Sequence, residues 1–161
     1  MSREKDLKFL RENLTYIFQL SVTVKELRGK YIKLLDPDLA KIFNSSIVRN
    51  YLLCIANLLD PVKDGRGNEN ISIYVLENIN LDRKLVERIK TYRSKAVAHN
   101  DRSVMHQGDD YFRNYNLKPD EVEKLLEYML ESLEKELQDK FPREKITEDF
   151  KEKLEKLFKS S

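Results

Sequence analysis

Apolar residues recur along this chain at spacings of three and four positions, in segments separated by prolines and by stretches rich in Gly, Asn and Asp. Such spacing places apolar side chains on one face of an α-helix. In residues 3–35 this face consists of Leu7, Leu10, Leu14, Ile17, Phe18, Ser21, Val24 and Leu27. We predict one amphipathic helix over this segment, kinked or ended at Gly29 because glycine weakens a helix.

A second helix is predicted over residues 38–59, with Asp36 or Asp38 capping its first N–H groups. Its strongly apolar sequence indicates a central position in the fold. Residues 71–79 follow a loop rich in Gly, Asn and Asp, and their run Ile-Ser-Ile-Tyr-Val suits either a short helix or a strand. We predict a short helix because the sequence offers no second strand to pair with it.

Three more helices are predicted in the second half of the chain. The first begins near Asn80 or Asp82 and ends at about His99, the second spans residues 119–140, and the last starts at Thr147. Residues 100–118 show no regular pattern. The result is an all-α fold, a bundle of four or five main helices in a single domain spanning residues 1–161. The C-terminal helix, about residues 146–161, is a candidate for a peripheral position.

The composition fits a globular chain, with 40% hydrophobic and 36% charged residues. No apolar run approaches the roughly 20 residues that a membrane-spanning helix needs, and the charged N-terminus does not resemble a signal peptide. We therefore expect a cytoplasmic protein without a membrane partner. The single cysteine, Cys54, excludes an internal disulfide, and its apolar neighbours predict a buried, inert thiol.

Charge is unevenly distributed although the formal net charge is only +2. Residues 81–95 carry six basic and two acidic side chains, whereas residues 120–139 are dominated by carboxylates. The basic segment is suited to attracting phosphate groups. Two solvent-exposed helix faces that differ in charge by chance would explain the same pattern.

An arginine and a histidine flank the packed face of the helix predicted to end at His99. With Leu85 at zero on a helical wheel, Ile89, Tyr92 and Ala96 lie within about 40°, Arg93 at about +80° and His99 at about −40°. Polar groups beside a buried face need partners. Arg93 can pair with a carboxylate and His99 can cap the helix C-terminus, which would make both residues structural.

The run Arg93-Ser94-Lys95-Ala96-Val97-Ala98-His99 resembles the R-x(4 to 6)-H motif of the HEPN superfamily. The preceding sequence "NLLDPVKDGRGNENISI" resembles abortive-infection proteins of the U type, which extends the similarity over residues 48–103. The resemblance implies an all-α, metal-independent ribonuclease of a toxin–antitoxin, abortive-infection or other defence system. Ser94 departs from the Asn, Asp or His that the family most often has after the arginine.

The resemblance also implies a homodimer in which two such motifs face each other. Residues six positions apart in one helix are about 9 Å apart along the axis and 120° apart around it, so one rigid copy cannot place both on one phosphate. A second copy solves this problem if both motifs enter one cleft. His99 would then act as general base or acid, and Arg93 would hold the scissile phosphate. Cleavage would leave a 2′,3′-cyclic phosphate and need no cofactor.

Weaker candidates surround the pair. Ser94, Asn100 and Asp101 are placed to orient the imidazole or the phosphate, and Lys90, Lys95 and Arg102 to attract RNA, while Tyr92 either stacks on a base or packs in the core. His106 with Asp101, Asp109 and Asp110 matches no recognised metal-site spacing. The main alternative is a non-catalytic helical module that binds RNA, a nucleotide or a protein, and an antitoxin is a further expected partner of the ribonuclease.

Overall fold

The computed structural model describes residues 3–63, 70–98 and 116–159, and for residues 96–98 the backbone only. These ranges contain five α-helices: α1 (Arg3–Glu26), α2 (Pro37–Leu58), α3 (Arg83–Ala98), α4 (Pro119–Leu137) and α5 (Arg143–Lys159). No strand occurs within them. The prediction of an all-α fold with four or five main helices is confirmed. None of the helices in these ranges has the apolar length that crossing a bilayer requires.

The first helix changes form in the turn that contains Gly29. After Glu26 the chain makes a π-helical turn, Leu27–Tyr31, and then a 3₁₀ turn, Ile32–Leu34. The regular α-helix therefore ends before Gly29, and the chain remains helical as far as Leu34. Asp36 then caps α2, because its carboxylate accepts hydrogen bonds from the Asp38 and Leu39 N–H groups, at 3.0 and 3.3 Å.

The core forms where α1 packs against α2, α4 and α5, and where α2 packs against α3. Helix α2 is central, as predicted, and contributes the fully buried Leu52, Ile55 and Ala56. Helix α5 also joins the core, since Ile146 is buried and Phe158 stacks on Tyr31 with ring centroids 4.5 Å apart. That helix begins at Arg143 rather than Thr147, because the Pro142 carbonyl already accepts a helical hydrogen bond from the Ile146 N–H.

Residues 71–79 were predicted to form a short helix, and they contain only one 3₁₀ turn, Ile73–Val75. The Ser72 hydroxyl caps this turn by accepting a hydrogen bond from the Tyr74 N–H. Leu76 is extended and Asn78 has φ of 61°, a left-handed conformation that stops any helix from continuing. Ile73 and Leu76 are nevertheless buried, so the segment serves as a tightly anchored connection between α2 and α3.

Candidate functional site

Helix α3 carries the motif, and it is held by a cap at its N-terminus and by the packing of one face in the core. Asp82 caps its N-terminus by accepting a hydrogen bond from the Lys84 N–H at 2.9 Å. Leu85, Ile89 and Tyr92 are buried, with exposures of 7%, 0% and 0%, as the helical wheel predicts. The burial of Tyr92 means that its ring packs in the core, so base stacking by this residue is excluded. The side chain of Ala96 lies outside the described atoms.

Arg93 lies at the edge of this packed face, and its guanidinium is held by the C-terminal end of α2. Its Nη1 atom forms an ion pair with the Asp60 carboxylate and donates a longer hydrogen bond, 3.5 Å, to the Ala56 carbonyl. The Arg93 side chain retains 27% exposure and that of Asp60 28%. The structure therefore shows the carboxylate pairing that the sequence offers as a structural explanation for Arg93. The pairing holds the guanidinium at a position that remains partly exposed to solvent.

Asp60 and the two residues after it are held by contacts from Asn70 and Ser72. The fully buried Ser72 donates its hydroxyl hydrogen bond to the Asp60 carbonyl. The Asn70 side chain donates to the Pro61 carbonyl at 3.1 Å, and the Asn70 N–H donates to the Val62 carbonyl at 2.7 Å. These bonds join residues 60–62 to residues 70–72 and hold the turn that carries Asp60. Arg93 therefore depends on a chain of contacts that reaches Ser72.

Sequence reasoning missed Asp60 and Ser72. A signal for Asp60 exists in the sequence, because an acidic residue at the end of a strongly apolar helix and directly before Pro61 is well placed to meet a cation. No comparable signal marks Ser72, which is one hydroxyl in an apolar segment. Only the fold shows that it faces the end of α2.

The other predicted site residues are distributed differently. Ser94 and Lys95 are exposed, and Lys90 is half-buried. Arg88, on the same basic helix, is bound by the Glu121 carboxylate at 3.1 Å and by the Asn116 carbonyl. His99, Asn100, Asp101 and Arg102 lie outside the described residues, as does the His106, Asp109 and Asp110 group. Helix α3 ends at Ala98, so His99 follows its last residue directly in the sequence.

A groove of about 640 Å³ lies at the opposite end of α3 from Arg93. Its walls carry both signs of charge, from Asp82, Arg83, Lys84, Glu87, Arg88, Asn116, Lys118 and Glu121. Arg83 and Arg93 are ten residues apart, about 15 Å along the helix axis. The groove is therefore separate from the motif, and its mixed charge does not favour an anionic ligand over a cationic one.

Cys54 was predicted to be buried and is only partly so. Its Sγ contacts the Asn50 side-chain oxygen at 3.6 Å, and burial raises the pKa of the thiol. A raised pKa reduces the fraction of reactive thiolate near neutral pH, which is consistent with the predicted inertness. Among residues 3–63, 70–98 and 116–159, no three His, Cys, Asp or Glu side chains are grouped as metal ligands.

No protein-family model, no curated protein and no solved structure matches this chain. The resemblance to the HEPN superfamily therefore rests on the residues of the motif and its upstream sequence.

Proposed function

We propose that this protein is a metal-independent endoribonuclease of the HEPN type, acting in the cytoplasm within a toxin–antitoxin or abortive-infection system. One observation carries the proposal: α3 holds the motif arginine at a partly exposed position beside its buried face, where Asp60 fixes the guanidinium. An all-α bundle with the motif at the end of such a helix is the context in which the resembling family carries it. An antitoxin would be the partner that restrains it.

Arg93 can bind a phosphate while it remains paired. A guanidinium has five N–H donors on three nitrogens, and the contacts to Asp60 and Ala56 both use Nη1. The planar group can therefore contact a carboxylate on one side and a phosphate oxygen on another. In the transition state it would stabilise the negative charge that develops on the scissile phosphate.

His99 supplies the proton transfer in this proposal. As general base it removes the proton of the ribose 2′-OH, and as general acid it protonates the departing 5′-oxygen. Attack by the 2′-oxygen on phosphorus breaks the bond to the 5′-oxygen and leaves a 2′,3′-cyclic phosphate. Ser94, Asn100 and Asp101 would orient the reacting groups, and Lys90, Lys95 and Arg102 would attract the RNA backbone. A second copy brings a second motif into the same cleft.

The decisive experiment incubates labelled RNA with the purified protein in the presence of a chelator. We expect cleavage that survives chelation, yields 2′,3′-cyclic phosphate ends, and is lost in Arg93→Ala and in His99→Ala. Lys145→Ala is the control, because this exposed lysine lies on α5, outside the basic segment of residues 81–95. Undiminished cleavage by folded Arg93→Ala and His99→Ala proteins would refute the assignment. RNA retained but never cut would favour the non-catalytic binding module.

Mixing the two inactive variants tests whether the cleft is shared. After subunit exchange, half of the dimers contain one copy of each variant, and each of these has one arginine and one histidine from different copies. If catalysis uses Arg93 and His99 from opposite copies, activity should recover to about a quarter of the parent rate. If both residues act from the same copy, the mixture should stay inactive.

A further inference from the structure

Helix α2 has an exposed apolar surface that the bundle leaves uncovered. It consists of Leu39, Ile42 and Phe43, which are 49%, 61% and 49% exposed, with Leu34 and Tyr16 at its edges, 68% and 47% exposed. We call these five residues the α2 outer face. Tyr16 joins it through a 3.0 Å hydrogen bond from the Asn50 side chain to its hydroxyl.

The α2 outer face lies opposite the side of the helix that enters the core. On a helical wheel the centre of Leu39, Ile42 and Phe43 is about 170° from the centre of the buried Val48, Leu52 and Ile55. A helix that is apolar on both sides is normally buried on both. The face is also a concentrated patch, because it contains five of the eight large apolar side chains that are exposed in the described part of the chain.

The low charge of α2 around this patch favours a second copy of the chain as the surface that covers it. Helix α2 carries three charged residues, Asp38, Lys41 and Arg49, and on the helical wheel each lies about 75° or more from the centre of the α2 outer face, whereas 36% of the whole chain is charged. Near the two-fold axis of an isologous pairing a residue meets its own copy, so like charges there would repel each other and the centre of the interface needs little charge. The α2 outer face meets this requirement, and helices α3 and α4, with their many charged residues, do not.

The size of the patch also fits a pair of identical copies. Five half-exposed side chains of this kind supply on the order of 400 Å² of apolar area per copy. A standard interface buries about 800 Å² per partner, with an apolar centre and a polar rim. Ser46 and Asn50 lie on the same side of α2 and would form part of that rim. Asn50 already hydrogen-bonds to Tyr16, so little unsatisfied polarity would be buried.

We propose that a second copy of this chain docks on the α2 outer face, and that this contact forms the dimer on which the proposed function rests. The C-terminal end of the same helix supplies Ala56, and the turn directly after it supplies Asp60; both residues hold Arg93. Ala56 is 13 residues beyond Phe43, about 20 Å along the axis. The proposed interface and the groups that hold Arg93 therefore follow one another along the same stretch of chain.

The relative direction of the two α2 helices determines whether the motifs meet. If they run in the same direction and cross near Phe43 at roughly 20° to 50°, the two Ala56 positions lie about 10 to 20 Å apart. If they run in opposite directions, the same positions lie about 40 Å apart. Only the same-direction pairing brings the C-terminal ends of both α2 helices, and with them the groups that hold Arg93, to the same end of the dimer, and it is the arrangement we infer.

The test measures the mass of the full chain in solution by light scattering and sedimentation. The parent protein should be a dimer, and the double variant Ile42→Glu with Phe43→Glu should be a folded protein of half that mass. Leu157→Glu is the matched control, because Leu157 is an apolar residue of α5 with 63% exposure, close to the 61% of Ile42. It should remain dimeric. A monomeric parent protein, or a double variant that stays dimeric, would overturn the proposal.

A distance measurement tests the arrangement without depending on the double variant. Spin labels at Asn57→Cys, an exposed position next to Ala56, in a Cys54→Ser background, report the separation of the C-terminal ends of the two α2 helices. A separation below about 25 Å supports same-direction pairing, and one near 40 Å contradicts it.

The mass measurement and the RNA assay can fail independently. A dimer that depends on the α2 outer face but does not cut RNA refutes the nuclease and leaves the interface standing. A monomer that cuts RNA refutes the interface.

Discussion

The Asp60 carboxylate has two opposing effects on Arg93. It fixes the guanidinium in place, and it offsets part of the positive charge that a phosphate would contact. Asp60→Asn should therefore bind RNA about threefold more tightly, because a negative charge is removed from the site. It should also lower kcat by about tenfold, because the guanidinium is less well positioned. Steady-state and single-turnover kinetics separate the two effects.

Asp149→Asn is the control for this prediction, since it removes one negative charge from an exposed position on α5. It should leave kcat unchanged, and it should change RNA affinity only by the small amount that one unit of net charge on the protein contributes. Tighter binding with an unchanged kcat in Asp60→Asn would mean that Arg93 does not depend on Asp60 for the position that the proposed reaction needs.

Ser72 is the buried residue on which the geometry of Asp60 depends. Ser72→Ala leaves the Asp60 carbonyl without its hydroxyl donor and removes the cap of the following 3₁₀ turn. We expect the free energy of unfolding to fall by about 1 to 3 kcal/mol. Chemical denaturation measures the loss, and the exposed Ser94→Ala should change stability by less than about 0.5 kcal/mol. Equal stability of the two variants would show that the Ser72 hydroxyl bond contributes little.

The candidate site could be predicted from sequence only where local periodicity determines it. Arg93 was placed beside the packed face of α3 because the positions of Leu85, Ile89 and Tyr92 fix that face. Its partner Asp60 is 33 residues away, and helix packing alone brings the two together. Periodicity carries no information about such contacts, so the ion pair and its support by Ser72 had to come from the structure.

At the scale of elements, two glutamates of α4, Glu127 and Glu134, bind Arg143 at the start of α5, and Glu134 makes more of the hydrogen bonds. Glu134 binds Arg143 through two hydrogen bonds, of 2.6 and 3.2 Å, and accepts a third from the Phe141 N–H at 2.7 Å. The Arg143 guanidinium, with the Phe141 N–H, lowers the pKa of the Glu134 carboxyl below its usual 4.5. The interaction therefore stabilises the fold most when Glu134 is ionised.

Glu134→Gln should lower the free energy of unfolding by about 1 kcal/mol at neutral pH. Because the pKa of Glu134 is lower in the folded state, its contribution is fully present above the ordinary value of 4.5 and is lost as pH falls through the folded value. The difference between parent and variant should therefore shrink in acid. Denaturation at a series of pH values measures it, with Glu131→Gln, an exposed position on α4, as the control. A difference that is constant across the acidic range would contradict this assignment.

Helices were predictable from sequence where they are long and periodic, and connections were not. The ends of α2 match the prediction within one residue, since Asp36 and Pro37 provide a clear start. Residues 71–79 were assigned to a helix because their apolar run has no strand partner. The structure shows that burial of Ile73 and Leu76 against the core, with the Ser72 cap, keeps them as one turn between extended residues. Tertiary packing outweighs local preference in so short a segment.

At the scale of the whole molecule, the sequence contains the residues of the α2 outer face without showing that they are exposed. The apolar residues of α2 predict a central helix, which is correct, but Leu39, Ile42 and Phe43 then count as core positions. Only the packed bundle shows that they lie opposite the side that enters the core. Since a single chain cannot bury both sides of α2 within the described helices, assembly is the property least accessible to pattern analysis.

If two copies share the α2 outer face, the thermal stability of the protein should depend on its concentration. A dimer that dissociates on unfolding gains about 1.4 kcal/mol for each tenfold increase in concentration, which for two chains of 161 residues raises Tm by about 2 °C. Reversible melts over a hundredfold range of concentration should therefore differ by about 4 °C for the parent and for Leu157→Glu. The double variant Ile42→Glu with Phe43→Glu should show one Tm throughout, because its unfolding is unimolecular. A parent protein with a constant Tm over this range would contradict the obligate pair that the shared cleft requires.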